Sequence, residues 1–407
     1  MVVMKLVKFN KLILISFFIA VIAFEAAYSQ KAFPELTVPE NFGVNIFAQD
    51  IQLKDADMIE KAGFKFVRFD LYWDFVEKEK GKYDFKPYEI IFNELKKRNI
   101  RAVAILNGGN KLYEAERSIR SIKGRAAFAE FAKAAALKFK DNDVIWEVWN
   151  EPDLIYFWKP KPNLNEYIFL LKETYAAIKK ADPDAVCIGP AASKLTPAQW
   201  EELVKTGLFN NIDGLSFHFY TDSIPESVIY DKITPVRSIM KRKTGSENAI
   251  PIISSEWGYH SRLFVRSEQV QAAFLKRSLL TNLYAKIPVS IIYQWRDYCS
   301  NPWDAECCYG LLKKDYTPRK SYYALINMFS ELKGMHIVKK IDLENKNDVI
   351  LLFSDGKNYK IAAWTLEYTL LGHKAEINKN IKININYDPQ IINITSLDAL
   401  ELRKIKQ

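Results

Sequence analysis

Cysteine, histidine and glycine are all scarce in this chain of 407 residues, with four, four and 15 of each. Four cysteines do not make a disulfide-built miniprotein, and a chain of this length buries a core without such staples. No histidine stands at ligand spacing from the cluster Cys299, Cys307 and Cys308, which argues against a structural metal site. No Gly-rich phosphate turn follows a strand-like run; Gly108-Gly109 lacks the rest of that fingerprint, which disfavours an open dinucleotide-binding sheet. Beyond the first 29 residues no apolar stretch is long enough to span a bilayer. Repeats, Gly/Ser linkers and low-complexity runs are missing too. With 49% hydrophobic and 26% charged residues, the composition is that of an ordinary globular protein rather than a disordered one.

The start of the chain reads differently. Lys5, Lys8 and Lys11 precede an uncharged run from Leu12 to Phe24, and Ala27 and Ser29 stand where a signal peptidase reads small residues. Residues 1–29 are therefore expected to be a secretory signal peptide, leaving a mature chain that is secreted or periplasmic. The run falls short of the roughly 20 residues a membrane span needs, so no stable membrane insertion is expected after cleavage. Three lysines and one glutamate leave with the peptide, so the formal charge of +9 becomes +7. The other lysines are scattered over amphipathic stretches without interleaved stacking aromatics, and no nucleic-acid partner is expected. Export permits disulfides. Cys299 lies eight and nine residues before Cys307 and Cys308, so one local bridge is expected there, while Cys187 reads as a small buried hydrophobe.

From Gly43 onward, short β-branched runs alternate with longer stretches of helical period. The strand candidates are Gly43–Phe47, Phe66–Asp70, Arg101–Leu106, Val144–Asn150, Ala185–Gly189, Gly214–Phe219, Pro251–Ser255 and Ser290–Trp295. Strands alternating with helices pair in parallel, because each crossover returns the chain to the same end. Eight units over about 290 residues predict a (β/α)8 TIM barrel, an α/β fold. After Gly334 the pattern changes to short strands at 349–354, 359–365, 373–377, 381–387 and 391–395, with Asp355-Gly356 as a hairpin turn. The expected organisation is a signal peptide over 1–29, a barrel over 30–335 and a small all-β domain over 336–407. Residues 33–38 are a candidate extra strand for that domain.

Two glutamates end two of the strands. In Glu147-Val148-Trp149-Asn150-Glu151-Pro152-Asp153, strand alternation puts Glu147, Trp149 and Glu151 on one face, with Glu151 at the C-terminal rim. In Ser255-Glu256-Trp257-Gly258, Glu256 ends the seventh strand at the same rim. Strands four and seven lie across an eight-stranded ring from each other, so the two carboxylates can face one another. Glycoside hydrolysis needs such a pair: one carboxylic acid protonates the leaving oxygen while the other attacks the anomeric carbon or activates water.

These motifs resemble clan A glycoside hydrolases. The longer string around Glu151 is similar to family 39 more than to family 5, as are Trp73, Val76-Glu77, Tyr83-Asp84-Phe85 and Tyr309-Gly310-Leu311-Leu312. The resemblance implies a retaining reaction with Glu151 as acid/base and Glu256 as nucleophile, and a β-sandwich after the barrel. It also assigns supporting residues. Arg68 would hold the nucleophile ionised, and Asn150 would donate to a sugar 2-hydroxyl. Tyr220 would hydrogen-bond Glu256, His218 would meet sugar hydroxyls, and Trp295 would be a stacking platform. Trp73, with Tyr113, Trp158, Tyr259, Tyr298 and Trp303, falls in loops after strands, and their density suggests several sugar subsites, although each on its own reads more as packing than as binding. His260 follows strand seven and ranks below these. The expected substrate is a polysaccharide or oligosaccharide. Two carboxylates suffice, so no metal or cofactor is expected. An exo-acting β-xylosidase or uronidase, and a non-catalytic glycan-binding protein on the same barrel, are the competing readings.

Overall fold

The computed structural model describes residues 32–221 and 223–366, together with the backbone of three strands beyond them, Lys379–Ile385, Asp388–Ile394 and Glu401–Ile405. The expected leader and the strand expected at 373–377 lie outside the described residues. Eight strands close a parallel barrel in chain order: β1 (Phe42–Asn45), β2 (Phe66–Tyr72), β3 (Arg101–Asn107), β4 (Ile145–Val148), β5 (Val186–Ala192), β6 (Gly214–His218), β7 (Ile252–Trp257) and β8 (Ser290–Ile292). Helices separate them, and their starts follow from the sequence. Thr196 caps Pro197–Lys205 by accepting from Gln199 N, with Pro at the first turn. Ser121 and Ser267 cap Ile122–Lys138 and Glu268–Tyr284. Before β7 a π turn, Ile229–Ile233, runs into the helix Thr234–Thr244.

The barrel interior changes character along its axis. At the N-terminal end, Phe66, Val103, Ile145, Val186, Ile188, Ile253, Val289 and Ile291 pack with Ala32 and Phe33. Space is so tight there that a Cβ on Gly43 would lie 2.5 Å from that of Phe66. Phe33 is thus a plug for the bottom of the barrel, and residues 33–38 add no strand to the C-terminal sheet; hydrophobic burial claims them first. At the opposite end the interior turns polar, with Asn45, Arg68, Glu147 and His218 buried.

Beyond the barrel, β9 (His336–Ile341), β10 (Asp348–Ser354), β11 (Tyr359–Thr365) and the last strand, Glu401–Ile405, form an antiparallel sheet, while Lys379–Ile385 and Asp388–Ile394 form a separate hairpin. Asp355-Gly356 is the turn between β10 and β11: Asp355 Oδ1 accepts from Lys357 N and Asn358 N, and Gly356 takes φ +89°. One face of the sheet carries Val349, Leu351, Phe353, Ala362 and Trp364 into the main core. Trp364 also donates its indole N–H to Glu226, 2.7 Å away, which is itself held by Arg277. Among the described residues no helix is long and apolar enough to cross a membrane.

Candidate active site

The C-terminal ends of the strands carry the polar cluster. Arg68, on β2, is 1% exposed, and each of its five N–H groups has an acceptor. Nε donates to Glu147 at 2.7 Å, Nη1 to Asn45 at 3.0 Å and to Glu256 at 2.5 Å, and Nη2 to Asn150 at 2.8 Å, with His218 Nε2 3.2 Å away. Burial by itself disfavours this cation, but Glu147, Glu256 and Asp70 outweigh it and hold the guanidinium firmly charged. Asp70, on the same strand, accepts from Asn107.

Glu256, on β7, is held at both oxygens. Oε2 accepts from Arg68 and Oε1 accepts from the Tyr220 hydroxyl at 2.9 Å. Glu151 sits opposite. Its Oε1 lies 2.8 Å from His218 Nδ1, and its backbone N–H donates to Ala191 O of β5. Burial pushes the Glu151 carboxyl pKa up, but His218 pulls it below the ordinary value, while the His218 pKa is raised by the two glutamates against burial. The guanidinium of Arg68 only donates, so His218 Nε2 is an acceptor and the imidazole proton lies on Nδ1, toward Glu151. Glu151 and His218 therefore titrate as one unit. One donor atom from each of Glu151, His218 and Glu256 lies within 4.8 Å of the others. A divalent cation at these three atoms would face the Arg68 guanidinium, already 2.5 Å from Glu256, so the set suits proton chemistry better than metal ligation.

Asn150 Oδ1 is taken by Arg68, which fixes its amide and leaves Nδ2 as the end that can donate to a ligand. Arg68, Asn150, Glu151, His218, Tyr220 and Glu256 are thus brought together. Trp73 and Trp295 are not. Trp73 is fully buried, stacked on Tyr113 and Phe131, and its indole donates to Glu77 at 2.6 Å. Trp295 packs edge-on against Phe64 and donates to Asp55 at 2.9 Å. Both are core residues whose polar atoms are satisfied internally. Trp158 and Tyr259 are buried as well. Replacing Trp73 or Trp295 by Phe should lower stability by about 1–3 kcal/mol, by leaving Glu77 or Asp55 short of a donor. Thermal melts would read this loss, and KM for any glycoside should stay unchanged; a several-fold rise in KM would return the residue to the sugar-binding surface.

Two local features explain where strand alternation fails at Trp149 and where the expectation for Trp295 fails. β4 ends at Val148, and Trp149 takes φ +69°, which breaks the alternation and turns its ring outward onto Phe128 and Trp158. Glu147 consequently points into the barrel at Arg68 and does not share a face with Trp149. β8 ends at Ile292, so the rim position belongs to Tyr293, two residues before Trp295. Tyr293 forms an aromatic group with Tyr220 and Tyr309, and its hydroxyl donates to Glu306, 3.3 Å away. Burial raises the Glu306 carboxyl pKa, and Glu256 and Glu151 add to the rise, so a third carboxylate shares their field. Tyr293 and Glu306 escaped the sequence reading, and Tyr309 was noted only within the motif Tyr309-Gly310-Leu311-Leu312, because no strand-end pattern marks them. Cys299 is bridged to Cys307, and Cys187 and Cys308 are buried thiols.

With this geometry in hand, the comparisons are specific. A family model described as Cellulase (glycosyl hydrolase family 5) matches residues 32–289. A β-xylosidase from Geobacillus stearothermophilus is 47% identical over 47 residues, which are 12% of this chain and 9% of that protein. Among solved structures, a family 39 glycoside hydrolase from Bacteroides cellulosilyticus WH2 superposes with a TM-score of 0.73 at 21% identity, covering 89% of this chain and 81% of that one. A family 39 β-xylosidase from Caulobacter crescentus gives 0.63 at 18% identity, covering 83% and 82%. At these identities the likeness is one of fold, and it is the TIM barrel expected from the strand pattern.

Proposed function

The chain belongs to the cellulase family, glycosyl hydrolase family 5, and from that membership we propose that it is an exported, retaining glycosidase acting on a polysaccharide or oligosaccharide. Glu151 is the acid/base and Glu256 the nucleophile. The observation that carries this reading is the pair itself: a Glu151 oxygen within 4.8 Å of a Glu256 oxygen, each carboxylate in a different setting. Retaining enzymes hold their carboxyl groups roughly 5–5.5 Å apart, and inverting ones need roughly 6.5–9.5 Å to admit water between them. Arg68 and Tyr220 both donate to Glu256 and hold it aimed, as a nucleophile requires. His218 supplies Glu151 with a proton partner, as an acid that must later act as base requires.

In the first step a Glu256 oxygen bonds to the anomeric carbon as the glycosidic C–O bond breaks, and Glu151 gives its proton to the departing oxygen. In the second, Glu151 takes a proton from water, whose oxygen displaces Glu256 from the same carbon. Asn150 Nδ2 is placed to donate to a sugar hydroxyl beside that carbon. The disulfide Cys299–Cys307 supports residence in an oxidising compartment. The short identity with a β-xylosidase favours β-xylosides as the first bonds to assay, with exo release of single xylose as the second reading. Proton NMR of the first-formed product should show the anomeric configuration of the substrate; the opposite configuration would overturn the double displacement.

A further inference from the structure

We propose that Phe264 and Trp303 form a sugar-binding platform outside the catalytic pair, serving a glycan chain that extends beyond the ring being cleaved. This rests on the glycosidase reading above. Phe264 lies in the loop after β7 and is 87% exposed; Trp303 lies in the loop after β8 and is 61% exposed. Their ring centroids are 5.7 Å apart at 45°, an open V that faces solvent. With Leu263 and Val265, also exposed, the rings form a contiguous apolar patch of the kind that marks a binding surface, unlike apolar residues scattered singly. Phe264 also takes φ +62°, a backbone conformation that bulky side chains rarely adopt.

The two loops hold the rings in place. Leu263 N donates to Pro302 O and Ser261 N to Cys308 O, so the strand-seven loop is laced to the strand-eight loop. Trp303 N donates to Asn301 Oδ1, and the Cys299–Cys307 bridge closes the segment that carries Trp303. Stacking on a pre-ordered ring loses less freedom than stacking on a mobile one.

The platform is continuous with the catalytic pair. Glu256 touches Tyr220, the Tyr220 ring meets Tyr309 at 6.0 Å, and the Tyr309 ring meets His260 at 5.4 Å. Arg262 N then donates to His260 Nδ1, two residues before Phe264. These edge-to-face contacts link the Phe264 loop to the catalytic pair, and the exposed rings at its outer end are what a pyranose, with one apolar face and a rim of hydroxyls, would stack on.

The test compares the wild type with F264A, W303A and the double variant. The substrates are p-nitrophenyl glycosides of xylose, glucose and mannose, and the β-1,4-linked di- and hexasaccharides of the same sugars. In the sugar series that is cleaved, kcat/KM should rise from di- to hexasaccharide, and each substitution should remove about tenfold of that rise. Rates on the p-nitrophenyl glycosides should stay at the wild-type value. A length dependence that is flat in the wild type, or equal in the double variant, overturns the platform while leaving the glycosidase reading intact. Aryl-glycoside rates that fall in parallel would mean a structural role and overturn it too, as would a concentration-dependent dimer that the double variant abolishes. No turnover of any glycoside refutes the glycosidase reading, and this inference with it.

Discussion

The Glu256→Ala protein should hydrolyse no glycoside at a measurable rate, a loss on the scale of roughly 10^6-fold seen when a covalent nucleophile is removed. Glu256 is proposed to form the bond that splits one difficult displacement into two easier ones. The surroundings of the deleted carboxylate make the experiment sharper. Arg68 Nη1 and the Tyr220 hydroxyl both donate to it and would remain in the variant, aimed at the space left behind. A cationic, hydrogen-bond-donating cradle of that kind suits a small anion. Added azide should therefore restore turnover of an aryl glycoside with a good leaving group, and the product should be a glycosyl azide of inverted configuration. Undiminished hydrolysis by the variant would remove Glu256 from the chemistry. Arg68 shares its charge among Glu147, Glu256 and Asp70, so the variant keeps part of its compensation; melting curves should show a folded protein.

The candidate site was legible in the sequence where a residue ends a strand inside the barrel. Glu256 was read from its place at the end of a strand, Arg68 and His218 were assigned by the family resemblance and lie on β2 and β6, and the fold itself follows from eight alternations of strand and helix. The errors fall one or two residues past a strand's end. At Trp149 a left-handed backbone replaces the alternation, and at β8 the strand stops at Ile292, so Tyr293 and not Trp295 reaches the rim. Trp73 went astray for another reason. Its place in a loop after β2 was visible, but its partners Glu77, Tyr113 and Phe131 were set by long-range packing that no local pattern records. The same holds for Phe33, whose β-like neighbourhood hid its role at the bottom of the barrel.

The Glu151→Ala protein should separate the two half-reactions, because acid help and base help fail differently. General acid and base assistance are each worth roughly 10²–10⁴-fold. With a natural glycoside the leaving oxygen needs the proton, and cleavage should fall by that factor. With a dinitrophenyl glycoside the leaving group departs without protonation, so the first step should survive while water attack on the glycosyl-Glu256 ester loses its base. The ester should then accumulate, giving a burst of dinitrophenolate followed by a slow steady state and a mass increase of one sugar on the intact protein. Azide needs no base, so it should relieve the slow step and yield an azide of retained configuration, opposite to that from Glu256→Ala. The pH profile should change too. In the wild type the alkaline limb reports the joint titration of Glu151 and His218, whose shared proton lies along the 2.8 Å Nδ1–Oε1 contact. Loss of that proton as pH rises removes the acid, so the wild-type rate on a natural glycoside should fall through this limb, and the limb should vanish for the variant. Equal loss on both classes of leaving group, or a limb that persists in Glu151→Ala, would take the proton transfer away from Glu151.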